Sequence, residues 1–257
     1  MAELVRSEID AAAGIARVFL SRPERRNALS AGLVEALKDT LALAEADERI
    51  RVVAVGGDGP DFCAGADLHE LRASVDDGPL ASLADADALG DLFLLLRRME
   101  KPVVAVVHGR ALAGGCGLAS ACDLVLASEE ARFGYPEVKI GFVPAMVMAM
   151  LRRAVGEKRA LGLVATGRII DAETARQYGL VHEVFPAEEF QDRVERFLSD
   201  LSAQSASAIA LTKRMLYQMD AMSFEASVRA GAGVNVVARL TDDCREGVRQ
   251  FVERKNG

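Results

Sequence analysis

Short apolar segments that alternate with helical ones restrict the fold of this chain more than any other feature. Residues 14–20, 51–55 and 103–107 are short and rich in β-branched side chains, so each predicts a strand. Residues 30–47 begin with a serine cap and carry leucines at mostly helical spacing. A second helix is predicted over residues 80–99. Alternation of this kind favours an α/β fold with a largely parallel, buried sheet.

After Pro144 the pattern becomes helical almost to the end of the chain. Glycine or proline signals separate predicted helices, and one strand is expected at residues 180–185. The helices are predicted over residues 145–154, 157–166, 172–178 and 187–201, with three more between 206 and 255. We interpret this shift as one α/β core over residues 1–200 followed by a helical region over residues 201–257.

Composition excludes several classes of function. The 257 residues carry a net charge of −7 without a basic run, which disfavours a nucleic-acid partner. Neither a membrane span nor a signal peptide is predicted, because no apolar stretch approaches the roughly 20 residues of a spanning helix. The four cysteines form no CxxC pair and have mostly small neighbours, so we expect reduced, buried thiols in a cytoplasmic protein. The three histidines lack metal-ligand spacing, so no metal is expected.

Two stretches of small residues each lead into a predicted helix. Residues 61–68 read DFCAGADL and residues 108–118 read HGRALAGGCGL. The first N–H groups of a helix have no partner within it and carry partial positive charge. Two such donors that converge on one point would form an oxyanion hole. Small residues before a helix are more often a sign of tight packing, and a GG pair is equally typical of a turn, so either stretch alone is weak evidence for such a site.

A third stretch places a carboxylate among apolar residues. Residues 133–144 read FGYPEVKIGFVP, with Glu137 between proline and glycine signals. Apolar surroundings raise the pKa of a carboxylic acid, which suits proton transfer near neutral pH. A solvated surface glutamate remains the alternative for this loop taken alone.

Taken together, the three stretches resemble the crotonase superfamily of enoyl-CoA hydratases and isomerases. The early SRPERRNAL segment at residues 21–29 resembles its CoA-contacting loop, and residues 246–253 resemble its terminal helix. The resemblance covers nearly the whole chain. It implies a spiral of β-β-α turns over residues 1–200 that binds an acyl-CoA thioester. It also implies a helical trimerisation region over residues 201–257, with homotrimers or hexamers.

The resemblance also assigns site residues. It implies that the backbone amides of Ala66 and Gly114 donate hydrogen bonds to the thioester carbonyl oxygen. It also implies that Glu137 acts as the general acid or base. No separate cofactor is implied, since coenzyme A is part of the substrate. The residues expected to contact CoA are Arg25, Asn27, Ala28, Ala64, Asp67, Leu68, His69 and Lys255.

One departure from the family pattern bears on the reaction. Hydratases of this family generally use two glutamates, but the first position is occupied here by Gly117. Isomerisation of a 3-enoyl thioester needs only one base, because no water is consumed. Each positioned acid or base contributes about 10²–10⁴ in rate, so the loss of one disfavours hydration. Hydration, isomerisation and other thioester reactions such as hydrolysis or decarboxylation all remain possible. The residues that could assist Glu137 are Tyr135, Lys139, His108 and Glu70.

A non-enzymatic alternative is a catalytically silent relative that binds CoA or RNA. The acidic net charge argues against RNA. Binding of free CoA would separate a silent binder from an unrelated protein.

Overall fold

A computed structural model describes residues 3–74 and 78–255. Its larger sheet has six strands in the order β1-β2-β3-β4-β6-β9. Only β1 runs antiparallel to its neighbour, and all other neighbouring pairs are parallel. The strands are β1 (Val5–Asp10), β2 (Ile15–Leu20), β3 (Val52–Gly57), β4 (Val103–Val107), β6 (Leu124–Ser128) and β9 (Glu183–Phe185).

A second layer of very short strands makes the chain a spiral. It contains β5 (Arg110–Leu112), β7 (Arg132–Gly134) and β8 (Ile169–Asp171). Two single-residue bridges, Leu29 with Ala66 and Cys63 with Ala111, extend this layer towards the N-terminal half. Successive turns therefore add a strand to the large sheet, a short strand or bridge to the small layer, and then a helix. This arrangement confirms the expected spiral of β-β-α turns.

The described residues contain eleven α-helices, and two of them begin at predicted side-chain or small-residue signals. The Ser30 hydroxyl accepts a hydrogen bond from Leu33 N, which caps α1 as expected. The small residues from Gly114 begin α4. The helices are α1 (Ala31–Ala46), α2 (Leu68–Ser74), α3 (Pro79–Arg98), α4 (Gly114–Ala121), α5 (Val147–Val155), α6 (Glu157–Thr166), α7 (Ala172–Tyr178), α8 (Phe190–Ser202), α9 (Ala206–Gln218), α10 (Phe224–Leu240) and α11 (Asp242–Lys255).

The core lies on both faces of the large sheet. All six residues of β3 are buried, as a strand covered on both faces requires. One face packs on side chains such as Leu37 of α1 and Leu96 of α3. The other face packs on Val194 and Leu198 of α8. Burial on both sides explains why the central strands appear in the sequence as unbroken apolar runs.

The structure corrects several sequence-based boundaries. β1, β5, β7 and β8 were not predicted, because β1 is mostly solvent-exposed and the other three span only three residues each. β9 begins at Glu183 rather than at 180. The amides of Leu180 and Val181 return to Ala175 O and complete the end of α7 instead. Three cysteines are buried as expected, whereas Cys244 is half-buried.

The first C-terminal helix is attached to the core of its own chain. Lys213 of α9 is buried, and its Nζ lies 2.7 Å from Asp123 Oδ2. The Tyr217 hydroxyl donates to Asp123 Oδ1 over 2.6 Å. By contrast, α10 has no buried residue. The helical region that the sequence predicts over residues 201–257 therefore includes a helix, α9, that packs on the core of its own chain. Within the described part of the chain, no helix is long and apolar enough to cross a membrane.

Candidate active site

Two backbone amides from neighbouring turns of the spiral lie close together. Leu29 N donates to Gly65 O and Asp67 N donates to Leu29 O, so the amide of Ala66 points away from this bridge. A Cβ atom placed on Gly114, the first residue of α4, would lie only 3.7 Å from Ala66 N. Neither amide has a hydrogen-bond partner among the described residues. Ala66 is exposed and Gly114 is half-buried, so a ligand can reach both.

Unusual backbone conformations make this approach possible. Gly65 has φ +102°, and a Cβ there would lie 2.7 Å from the Cβ of Ala113. Ala113 itself has φ 50° and ψ −127°, a conformation that side-chain-bearing residues rarely adopt and that costs about 1–3 kcal/mol. A hydrogen bond of 2.8 Å from Ala113 N to Gly134 O holds it in place. Strain is thus stored where the two amides meet.

Glu137 is a buried carboxyl group on the next turn. It lies in the short 3-10 helix Pro136–Ile140, and its residue is only 8% exposed. Its Oε2 atom is buried and has no hydrogen-bond partner among the described residues. Burial raises the pKa of Glu137 above its ordinary value of 4.5. Such a carboxyl group keeps its proton to a higher pH than an exposed glutamate does, which suits it to proton transfer.

The space next to Gly117 is already filled. A Cβ atom at Gly117 would lie 2.2 Å from Val147 Cγ1 of α5 and 3.5 Å from Phe93 Cζ of α3. Any side chain at position 117 would therefore require the Val147 side chain to shift. The glycine at position 117 therefore packs tightly against Val147. The sequence could not show this contact, because the two residues are 30 positions apart.

Two of the residues expected to contact CoA, Asn27 and Asp67, hold the loop that precedes α1. Asn27 is fully buried with φ 55°; its side chain donates to Asp58 O and Asp61 O and accepts from Arg22 N. The Arg22 guanidinium lies 3.0 Å from Asp67 Oδ2. Asp67 Oδ1 also accepts from His69 N at the start of α2. These contacts join the loop to the segment that carries Ala66.

The remaining residues of this set line the same region. Arg25, Leu68 and His69 are exposed, and Ala28 and Ala64 are half-buried. Ala64 N donates to Arg26 O, which joins the two segments. Lys255 ends α11, and its side chain lies outside the described part of the chain.

Two of the candidate helper residues are bound elsewhere. Glu70 Oε2 accepts from Ala31 N, so it caps α1. His108 Nε2 lies 2.8 Å from Gly59 O. Lys139 lies beside Gly167 at the end of α6. Tyr135, the fourth candidate, is fully buried, and its hydroxyl lies 2.9 Å from Ser120 Oγ of α4. Within the described residues, no group of three or more histidine, cysteine, aspartate or glutamate side chains could hold a metal ion.

The chain thus forms a β-β-α spiral of the crotonase type, with two neighbouring amides that have no partner among the described residues and a buried carboxyl group on the following turn. A profile of the enoyl-CoA hydratase/isomerase family matches residues 10–257. The chain belongs to this family, whose members act on acyl-CoA thioesters.

Individual relatives agree with this assignment. A Thermus thermophilus protein named "Putative enoyl-CoA hydratase" is 41% identical over 94% of this chain and 95% of its own length. The 2,3-dehydroadipyl-CoA hydratase of Escherichia coli is 34% identical over 92% of this chain and 91% of its own length. A crystal structure of an enoyl-CoA hydratase from Mycobacterium smegmatis superposes with a TM-score of 0.92. It is 30% identical and covers 98% of this chain and 96% of its own.

Proposed function

We propose that this protein isomerises a 3-enoyl-CoA thioester to the conjugated 2-enoyl-CoA thioester, with Glu137 as the only carboxyl group that moves the proton. The observation that carries the proposal is a buried Glu137, whose Oε2 has no hydrogen-bond partner among the described residues, together with a filled space at Gly117. One side chain can take up and return a proton, and no second carboxyl group can occupy position 117 without displacing Val147.

The reaction follows from the two parts of the site. Ionised Glu137 removes a proton from C2, and the electron pair moves onto the thioester oxygen. The amides of Ala66 and Gly114 donate hydrogen bonds to that oxygen and stabilise the enolate charge. Glu137 then returns the proton at C4, and the double bond comes to lie between C2 and C3. No water is consumed, so atoms and charge balance with one acid–base group.

Hydration of a 2-enoyl-CoA thioester is the second candidate. The hydratase names of the relatives favour it. In this reaction Glu137 alone would take a proton from water as oxygen adds to C3 and deliver a proton to C2. A positioned acid or base contributes about 10²–10⁴ in rate, so we expect hydration to be slower than isomerisation here.

The two reactions are separated by their opposite effect on the conjugated thioester. A 3-enoyl-CoA substrate should gain the absorbance of the conjugated thioester, whereas crotonyl-CoA should lose it only if water adds. Glu137→Gln should abolish either signal. Glu130→Gln, which changes an exposed carboxylate in the turn before β7, is the matched control and should retain the activity of the wild type.

Exchange of the C2 protons of a saturated acyl-CoA into deuterium oxide tests enolate formation independently. Equal turnover and equal exchange by the wild type and Glu137→Gln would exclude Glu137 as the base. Binding of CoA without turnover of any thioester would instead support the silent-binder alternative.

We also propose that α10 and α11 form contacts between subunits of a homotrimer, or of a hexamer made of two trimers. Large apolar side chains on these helices are exposed in the single chain, including Phe224, Val236, Leu240 and Val248. Apolar surface of this extent is typical of a protein–protein contact. Light scattering after size-exclusion chromatography should give three or six copies, and a monomer would contradict the proposal.

A further inference from the structure

Tyr135, two residues before Glu137, is completely buried. It is among the largest side chains with no exposure, and it immediately precedes the 3-10 helix that carries the carboxyl group. A buried hydroxyl group without a partner would cost about 1–3 kcal/mol, so its contacts need to be accounted for.

The hydroxyl of Tyr135 hydrogen-bonds to a side chain of α4. It lies 2.9 Å from Ser120 Oγ, and Ser120 donates its own proton to Cys116 O over 2.6 Å. Because that proton is used, Tyr135 donates to Ser120. Burial raises the pKa of the Cys116 thiol to about 12 and that of Tyr135 well above its ordinary value, so both groups stay protonated near neutral pH.

These contacts attach the base-carrying segment to α4 at two separate levels. At the start of the helix, Ala113 N donates to Gly134 O. Further along, Tyr135 reaches Ser120, six residues and about 9 Å beyond Gly114 at the rise of an α-helix. Two attachments at different levels fix the orientation of a segment as well as its position. The same helix supplies the Gly114 amide.

We propose that the Tyr135 hydroxyl and Ser120 form a positioning pair that holds the Glu137 carboxyl group in register with the Ala66 and Gly114 amides. The kinetic part of this inference rests on the proposed function. The pair acts through orientation, because no charged side chain of the described residues contributes to the pKa shift of Glu137. The titratable groups that interact with Glu137 are Cys116 and Tyr135, and α6, which packs on the 3-10 helix, adds none.

Tyr135→Phe is the direct test, since it removes the hydroxyl and keeps the ring. We expect kcat to fall about tenfold to a hundredfold, the cost of a small misplacement of a reacting group. KM should stay within about twofold, because substrate binding is not altered. The acid limb of kcat/KM should move down by about half a pH unit, since a loosened carboxyl group meets more water and loses part of its burial penalty. Ser120→Ala should have the same effect, and the double variant should add nothing.

Tyr217→Phe is the matched control. It removes another tyrosine hydrogen bond, to Asp123 below α9, and should lower the melting temperature without changing kcat or the acid limb. The inference is overturned if Tyr135→Phe behaves in the same way, with lower stability and an unchanged acid limb.

A second measurement does not need turnover. Infrared difference spectra of the carboxyl stretch, referenced to Glu137→Gln, give the titration of Glu137 directly. Failure of the proposed reaction would silence the kinetic assay and leave this titration intact. A Glu137 pKa that is the same in the wild type and Tyr135→Phe would overturn the positioning role on its own.

Discussion

Gly117→Ala tests whether packing, and not only the lack of a carboxylate, defines this site. The added methyl group would lie 2.2 Å from Val147 Cγ1. Overpacking of a well-packed interior costs about 1–3 kcal/mol. An approach as close as 2.2 Å places the cost in the upper part of that range, at about 2–3 kcal/mol. Against this, alanine is favoured over glycine inside a helix by about 0.8–1 kcal/mol. We therefore expect a net loss of about 1–2 kcal/mol, which for a chain of this size lowers the melting temperature by about 2–8 °C.

The assay is thermal unfolding at one fixed protein concentration, because self-association would shift the midpoint. Gly162→Ala in α6 is the matched control, since nothing lies within 4 Å of the added methyl group. It should raise the midpoint by a few degrees. In a Val147→Ala background the penalty for Gly117→Ala should largely disappear, which corresponds to a coupling energy of about 1–3 kcal/mol.

The reasoning is refuted if Gly117→Ala stabilises the otherwise unchanged protein as much as Gly162→Ala does. A related outcome concerns the reaction. Gly117→Glu alone should not yield a hydratase, whereas Gly117→Glu combined with Val147→Gly should increase hydration of crotonyl-CoA.

Three further predictions concern charge and backbone. Because folding raises the pKa of Glu137, the folded state binds this proton more tightly than the unfolded state does. The wild type should therefore lose stability relative to Glu137→Gln as the pH rises from about 4.5 through the raised pKa, and the two proteins should be equally stable at lower pH. Melting temperatures measured across this pH range test the prediction. Over the same range kcat/KM should rise with pH, because the base must be ionised. Gly65→Ala should reduce kcat by about tenfold or more. The added methyl group would lie 2.7 Å from the Cβ of Ala113, at a φ of +102° that favours glycine, and should displace one of the two amide donors. An unchanged kcat would contradict the role of that contact. Lys213→Met should cost up to about 3 kcal/mol by leaving the half-buried Asp123 without its cation, and an unchanged unfolding midpoint would show that α9 is held by other contacts.

Local signals made much of the fold predictable. β4 occupies residues 103–107 as expected, α1 begins after Ser30, and three helices follow residue 206. Such features depend on residues within one or two turns of each other, such as a cap and its amide or a run of β-branched side chains. The short strands β5, β7 and β8 were not predictable in this way. Each has three residues, and its partners come from distant parts of the chain.

The sequence by itself determined the family resemblance, the presence of Glu137 in an apolar loop and the glycine at position 117. Only the tertiary structure decided how closely Gly65 and Ala113 pack beside the expected amide pair, that Val147 fills the space at Gly117 and that Tyr135 hydrogen-bonds to Ser120. The physical reason is that composition and spacing report the chemistry of a segment and its local conformation. Contacts between distant segments depend on how the turns of the spiral pack, and that packing determines which acid–base groups the site can hold.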